Sequence, residues 1–146
     1  MSQHASDASA SDIKRVMLQS AQDILEIEQQ HPRSVLPGTT IYACISAAAA
    51  QNPDKTALSH LLSANPEDAP RQISYRTLLE QITQAANLFS AVSQGADRAS
   101  VSIILPMLPE ALIAAWGAAT AGIGNPINPY LEVGQVSAIM NAARAT

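Results

Sequence analysis

The stretch from Val101 to Pro129, VSIILPMLPEALIAAWGAATAGIGNPINP, decides the fold. Val101 to Leu105 is almost continuously apolar and rich in β-branched residues, the pattern of a strand covered on both faces, and Pro106 ends it. Pro109 suits the first position of a helix, where its missing N–H costs nothing. Glu110 then places a negative charge at the positive end of the helix dipole. Along that helix Leu112, Trp116 and Ala119 share one face, while Ala111, Ala115 and Ala118 make a smooth one that lets neighbours approach closely. Gly122 reads as a left-handed helix stop. Ile123 to Ile127 reads as a second strand, and a right-handed crossover makes the whole a parallel βαβ unit. The unit carries no group that performs chemistry.

Outward from this unit the chain reads in order. Residues 1–11 are rich in Ser, Ala and Asp and read as a disordered N-terminus. Ser11 and Asp12 open a leader helix in which Ile13, Val16, Met17, Ala21, Ile24 and Ile27 recur at helical spacing. Its charges oppose the dipole, with Lys14 and Arg15 near the start and Asp23, Glu26 and Glu28 toward the end. HPRSVLPG at 31–38 reads as a connector. Thr39 or Thr40 caps a second helix running to Gln51, with Ile41, Cys44, Ile45 and Ala48 facing inward and Asn52-Pro53 as its stop. TALSHLL at 56–62 and the short run from Gln72 to Tyr75 read as a hairpin with a loose connection. Ser74 caps a helix striped by Leu78, Ile82, Ala85, Phe89 and Val92. A loop from Gln94 to Ser100 feeds the strand at Val101, and Glu132 begins a final helix with Val133, Val136, Ile139, Met140 and Ala143 along one side. The expected class is therefore α/β: an incomplete doubly wound layer with a parallel βαβ unit, preceded by helices and a small hairpin. The expected parts are the N-terminus (1–11), a leader helix and connector (12–38), and a subdomain (39–146).

Composition narrows the function. In 146 residues the apolar share is 47%, much of it alanine, so helices must pack closely to exclude water. A net charge of −4 without basic clusters argues against nucleic acid and anionic membranes, which attract gathered Lys and Arg. The most apolar region is broken by Pro106, Pro109 and Glu110, leaving about a dozen residues of apolar helix against the roughly twenty needed to span a bilayer. The single cysteine, Cys44, fits a reducing compartment. With no secretory or transit signal in view, the expected location is cytoplasmic.

No group stands out as catalytic. His4, His31 and His60 are scattered, with no partner at ligand spacing, so no metal site is expected. Ser11 to Lys14 matches S-x-x-K without companion motifs and reads as a helix cap. Gly122-Ile123-Gly124 precedes a strand where a dinucleotide fingerprint follows one, so Gly124 reads as a close backbone approach. Asp97 and Arg98 read as a solvated loop and Trp116 as core.

Three stretches carry a resemblance. Ile73-Ser74-Tyr75 with Leu78 and Ala86-Asn87-Leu88 is one. Leu105-Pro106-Met107-Leu108-Pro109-Glu110 is the second, and Ala121-Gly122-Ile123-Gly124-Asn125-Pro126-Ile127-Asn128-Pro129 is the third. In order and spacing they resemble the start of the AMP-forming acyl-CoA synthetases, the adenylate-forming enzymes. The third leans toward members that act on fatty or related carboxylic acids. Thr77, Arg98-Ala99 and Met107 depart from the family pattern at positions that are not catalytic. The resemblance implies the N-terminal part of a ligase that uses ATP, Mg2+ and coenzyme A to convert a carboxylic acid to an acyl adenylate and then an acyl-CoA. The family's phosphate loop, nucleotide contacts and catalytic lysine have no counterpart here, so no catalytic, cofactor-binding or metal residue is assigned and the 146 residues alone are expected to be inactive. A stand-alone α/β binding or interaction module is the alternative. A homo-oligomer through an exposed sheet edge or uncovered helix faces is expected for a chain that stops on a helix.

Overall fold

The computed structural model describes residues 18–29, 36–63, 65, 67–93 and 98–145. It divides into two compact units, residues 1–39 and 40–146, taken separately below. In the first, helix α1 (Ala21–Glu28) begins at Ser20, whose backbone is extended. The Ser20 hydroxyl accepts from the Asp23 N–H at 3.3 Å, and the Asp23 carboxylate accepts from the N–H groups of Ser20 and Gln19 at 2.8 and 2.9 Å. This is a capping box, and it corrects the expectation of one uninterrupted leader helix from Ser11 or Asp12. Their side chains, and the S-x-x-K match, lie outside the described residues, but a helix cannot run through an extended Ser20. It also reverses the reading of Asp23: the residue sits in the first turn, where the dipole favours it. The backbone N–H groups of Gln19 and Ser20 hold its carboxyl below the ordinary value.

In the second unit the order is α2 (Ile41–Gln51), β1 (Thr56–His60), β2 (Arg71–Ser74), α3 (Tyr75–Val92), β3 (Ala99–Ile103), α4 (Pro109–Ala121), β4 (Gly122–Pro126) and α5 (Val133–Ala142). Local chemistry sets the helix starts. The Thr40 hydroxyl accepts from the Ala43 N–H at 3.1 Å, and the Ser74 hydroxyl accepts from Thr77 at 3.2 Å. Pro109 opens α4 as expected, and Glu132 and Gln135 form a capping box at α5. Strands β1 and β2 pair antiparallel, with His60 opposite Arg71 and an irregularity between Thr56 and Leu58. Strands β3 and β4 pair parallel, from Ala99 opposite Gly122 to Ile103 opposite Pro126, with α4 as the crossover.

One core cluster lies between the hairpin and the helices, and Ala99, Ile103, Ala118 and Ile127 are buried at the parallel pair and its crossover. Ile73, Leu78 and Ile82 form the centre of the cluster, with Tyr42 and Ile45 from α2, Ala57 and Leu58 from β1, and Ile113 and Trp116 from α4 packed around them. The Thr83 hydroxyl donates to the Leu79 carbonyl at 2.8 Å and is 3.1 Å from the Tyr42 hydroxyl, which therefore donates to it and keeps its polar tip satisfied beside apolar neighbours. Trp116 is core, as expected. On α2, however, Ile41 is half exposed and Ala49 is the buried residue, because Tyr42 and Ile45 turn toward the core. On α4 the working face is Ile113, Trp116 and Gly117, while Ala119 is exposed.

Three differences concern the βαβ unit. The first strand begins two residues earlier than expected, and Ile104 and Leu105 are exposed beyond the ladder, whose last bond is Ile127 N–H to Ile103 carbonyl at 2.9 Å. Cover on both faces is not complete, since Ile123 is 51% exposed. Gly122, at φ 171°, is extended rather than left-handed. Its need for glycine is proximity: a Cβ there would collide with the Ala99 carbonyl oxygen and lie 2.7 Å from the Ala99 nitrogen. After α5, Arg144 takes the left-handed conformation at φ 49°, with its N–H bonded to Asn141 and that of Ala145 to Met140, a Schellman end. The Ser100 hydroxyl, buried in β3, donates to the Ala143 carbonyl at 2.8 Å and fastens this helix end to the sheet. Val133, expected on the inner side of α5, is 80% exposed because it stands in the first turn, away from that attachment.

Gly117 is a close approach between α3 and α4: a Cβ there would lie 2.6 Å from the Ala85 Cβ and 3.2 Å from the Ala86 nitrogen. Gly117→Ala is expected to lower stability by about 1–3 kcal/mol through overpacking. Denaturant unfolding checks this, and a gain of about 1 kcal/mol, the pure helix-propensity effect, would contradict the contact.

Candidate functional site

In open α/β sheets ligands gather at the carboxyl ends of the strands, so the ends of β3 and β4 are the place to look. Ser102 and Asn125 face each other there across the ladder, and the Asn125 amide donates to the Ser102 hydroxyl at 3.3 Å. Beyond them, Asn128 accepts from the Tyr130 N–H at 3.0 Å through its side chain and from the Leu131 N–H at 3.3 Å through its carbonyl, folding the β4–α5 turn back on itself. The β3–α4 turn is folded by the Leu108 N–H bonding to the Pro106 carbonyl at 2.7 Å. These ends carry hydroxyl and amide groups that can orient a ligand, and no nucleophile paired with a base.

A second polar cluster lies at the N-terminus of α4. The Arg71 guanidinium on β2 donates to the Glu110 carboxylate at 2.6 Å, with both side chains about half exposed. That bond, and then Glu110's own backbone N–H, hold its carboxyl below the ordinary glutamate value. The pair ties the hairpin to the crossover helix. Between α3 and α4 runs an open groove of about 350 Å3, lined by Gln81, Gln84, Leu88, Glu110 and Ile113 among others.

The residues weighed from sequence fall as follows. His60 lies on β1 with its Nδ1 buried and without a hydrogen-bond partner, and no group of three or more His, Cys, Asp and Glu that could hold a metal occurs among the described residues. His4, His31, Ser11, Lys14 and Asp97 lie outside the described residues. Arg98 is exposed just before β3. Gly124 is a close approach, as expected: a Cβ there would stand 3.2 Å from the Ala115 carbonyl and 3.3 Å from the Ala118 Cβ. No described helix is long and apolar enough to cross a membrane. Sequence reading missed the Ser102–Asn125 and Arg71–Glu110 pairs. Each joins residues 23 or more positions apart, and only the register or the helix placement brings them together.

Comparison with known proteins accounts for this frame. The family model described as AMP-binding enzyme matches residues 45–146. The marinolic acid–CoA ligase of Pseudoalteromonas sp. (strain SANK 73390) is 32% identical over 124 residues, covering 85% of this chain and 19% of the relative. Acetyl-coenzyme A synthetase 2 of Saccharomyces cerevisiae (strain ATCC 204508 / S288c) is 37% identical over 83 residues, 56% of this chain and 11% of the relative. The chain thus spans about a fifth or less of the length of these relatives. Among solved structures, the NpsA–ThdA adenylation–PCP fusion from Klebsiella oxytoca aligns with a TM-score of 0.58 at 21% identity, over 73% of this chain and 20% of that one. The Klebsiella oxytoca NpsA N-terminal subdomain bound to anthranilyl-AMSN gives 0.55 at 20% identity, over 73% and 26%. These two share the fold.

The Arg71–Glu110 pair gives a pH test. Glu110's folded carboxyl titrates below the ordinary value of 4.5, so its contribution is full above that value and is lost as pH falls through the lowered folded one. The chain is expected to melt higher than its Glu110→Gln variant near neutral pH, with the two converging in acid. A gap that widens as the pH falls from neutral into acid would contradict the assignment.

Proposed function

The chain belongs to the AMP-binding enzyme family, and from that premise we propose that it is the N-terminal part of an ATP-dependent acid–CoA ligase. Residues 39–146 form the N-terminal subdomain in this reading, with 12–38 as a leader ahead of it. The whole enzyme joins the carboxylate oxygen of an acid to the α-phosphate of ATP, releasing pyrophosphate. It then transfers the acyl group from the adenylate to the thiol of coenzyme A, releasing AMP. The observation that carries the reading is the 32% identity to an acid–CoA ligase along 85% of the chain, within a family match over 45–146. Fatty or related carboxylic acids as substrates, Mg2+ as the counter-charge to the triphosphate and a cytoplasmic setting belong to the same proposal.

Within that enzyme the described residues act as a frame. Adenylation depends on holding a carboxylate in line with the α-phosphate and neutralising the charge that develops there. Arg71 is already engaged by Glu110, and the strand ends offer the polar side chains of Ser102, Asn125 and Asn128 among the described residues. Neither arrangement is a phosphate cradle, and in this reading the 146 residues alone are expected to be inactive in adenylation. The alternative reading, a stand-alone binding module, has the groove between α3 and α4 in its favour.

The test is carboxylic-acid-dependent exchange of radiolabelled pyrophosphate into ATP. The complete polypeptide encoded by the gene is expected to catalyse it with at least one acid from a panel running from acetate to long-chain acids, and the 146-residue chain to remain at the buffer blank. Exchange by the 146 residues would overturn their inactivity. Silence from a folded complete polypeptide across the panel, with a ligand retained in the groove, would favour the binding module.

A further inference from the structure

Helix α4 and the end of α5 lie on opposite faces of the parallel pair. Gly124 faces α4, since a Cβ there would meet the Ala115 carbonyl and the Ala118 Cβ, and its register partner Val101 shares that side. Side chains alternate along a strand, so Ser100 and Ser102 point the other way, and the bond from Asn125 to Ser102 lies on that second face. There the Ser100 hydroxyl, buried at 7% exposure, donates to the Ala143 carbonyl at 2.8 Å. Helix α5 closes its own two ends. Glu132 and Gln135 cap its first turn, and the Arg144 and Ala145 N–H groups return to the Asn141 and Met140 carbonyls at 3.1 Å each. The Ala143 carbonyl takes no part in those bonds and goes to Ser100 instead.

One peptide plane is thereby held from both sides. It joins Ala143 to Arg144: its N–H is bonded to Asn141 within the helix end, and its carbonyl is bonded to Ser100 on the sheet. Arg144 has a φ of 49°, a left-handed conformation that crowds its Cβ and that glycine takes without that cost. Such a state persists where the surroundings over-determine it, and switch segments are among the places where it is found. We propose that Ser100 is a positioning residue that latches the end of α5 in one of two positions. In the docked position Arg144 is left-handed and the last turn of α5 is tied to β3. In the released position Arg144 relaxes to right-handed backbone, the Ala143 carbonyl turns to water, and the chain from Ala145 onward leaves the helix in another direction. The latch does not depend on an open surface, because Ser100 is already buried and its bond already made. It is independent of the ligase reading, since it rests on contacts within the βαβ unit and α5.

Residue-resolved amide hydrogen exchange of the isotopically labelled 146-residue chain tests it, with Ser100→Ala, Arg144→Gly and the double variant. Ser100→Ala removes the latch without adding bulk, and Arg144→Gly removes the crowding of the left-handed state. Ser100→Ala is expected to speed exchange at the Ala143, Arg144 and Ala145 amides about tenfold, the scale of one lost hydrogen bond, while the Ile127 amide in the ladder keeps its rate. Adding Arg144→Gly to Ser100→Ala is expected to slow the Arg144 and Ala145 amides again by about fivefold or more, because glycine holds the left-handed state without help. Equal rates at Arg144 with and without the Ser100 hydroxyl would overturn the proposal. So would an equal loss of protection at Ile127, which would make Ser100 a general support of the sheet. A double variant that exchanges as fast as Ser100→Ala would also overturn it, because the conformation of Arg144 would then not be what the latch holds.

Discussion

The second half of the molecule depends on one backbone contact, Gly122 against Ala99, closer than any side chain allows. That contact starts the parallel ladder and so sets the register down to Ile103 and Pro126. A parallel pair cannot be closed by a tight turn, so the chain between the strands must be a crossover helix, and α4 has to lie flat on β4 to complete it. It does so through Ala118, which is fully buried, and through the space left by Gly124. The same helix then has two other sides to satisfy. Gly117 meets α3, and Ile113 and Trp116 reach the Leu78 and Ile82 core. One thirteen-residue helix thus joins the sheet, its neighbour helix and the core. Alanine-rich composition is the means, since small residues let helix and strand backbones close without voids.

Much of this was legible in the sequence because it is local. Pro109 at a helix start, Ser74 as a cap and the Leu78-Ile82 stripe each state their own structure within a few positions. What was not legible depends on partners distant in sequence. Ile104 and Leu105 look like strand, but the ladder has no partner left for them past Ile127. Gly122 looks like a left-handed stop, and only the nearness of Ala99 shows that its role is clearance. Ser20 caps α1 because Asp23, three residues on, completes a reciprocal pair with it.

The candidate site divides along the same line. The family was readable from three short motifs in the right order: the first is the Ser74-capped start of α3, and the other two are the turns and close contacts of the βαβ unit. They are conformational devices, which is why they identify the fold while naming no catalytic group. Ser102–Asn125 and Arg71–Glu110 arise from register and helix placement, so no motif announces them. The chain spans about a fifth or less of the length of these curated relatives and carries the family's signature. Among the described residues the ends of β3 and β4 carry the Ser102 hydroxyl and the Asn125 amide.

The central claim is that Ala99–Ile103 and Gly122–Pro126 form a parallel pair in the register that Gly122 permits. Cross-strand nuclear Overhauser contacts in the isotopically labelled chain test it most directly. The account predicts contacts linking the Ala99–Gly122, Val101–Gly124 and Ile103–Pro126 neighbourhoods in the same chain direction, with the Ile127 amide protected from exchange by the Ile103 carbonyl. An antiparallel pattern, a register shifted by one residue, or an Ile127 amide that exchanges as fast as an exposed loop would contradict it.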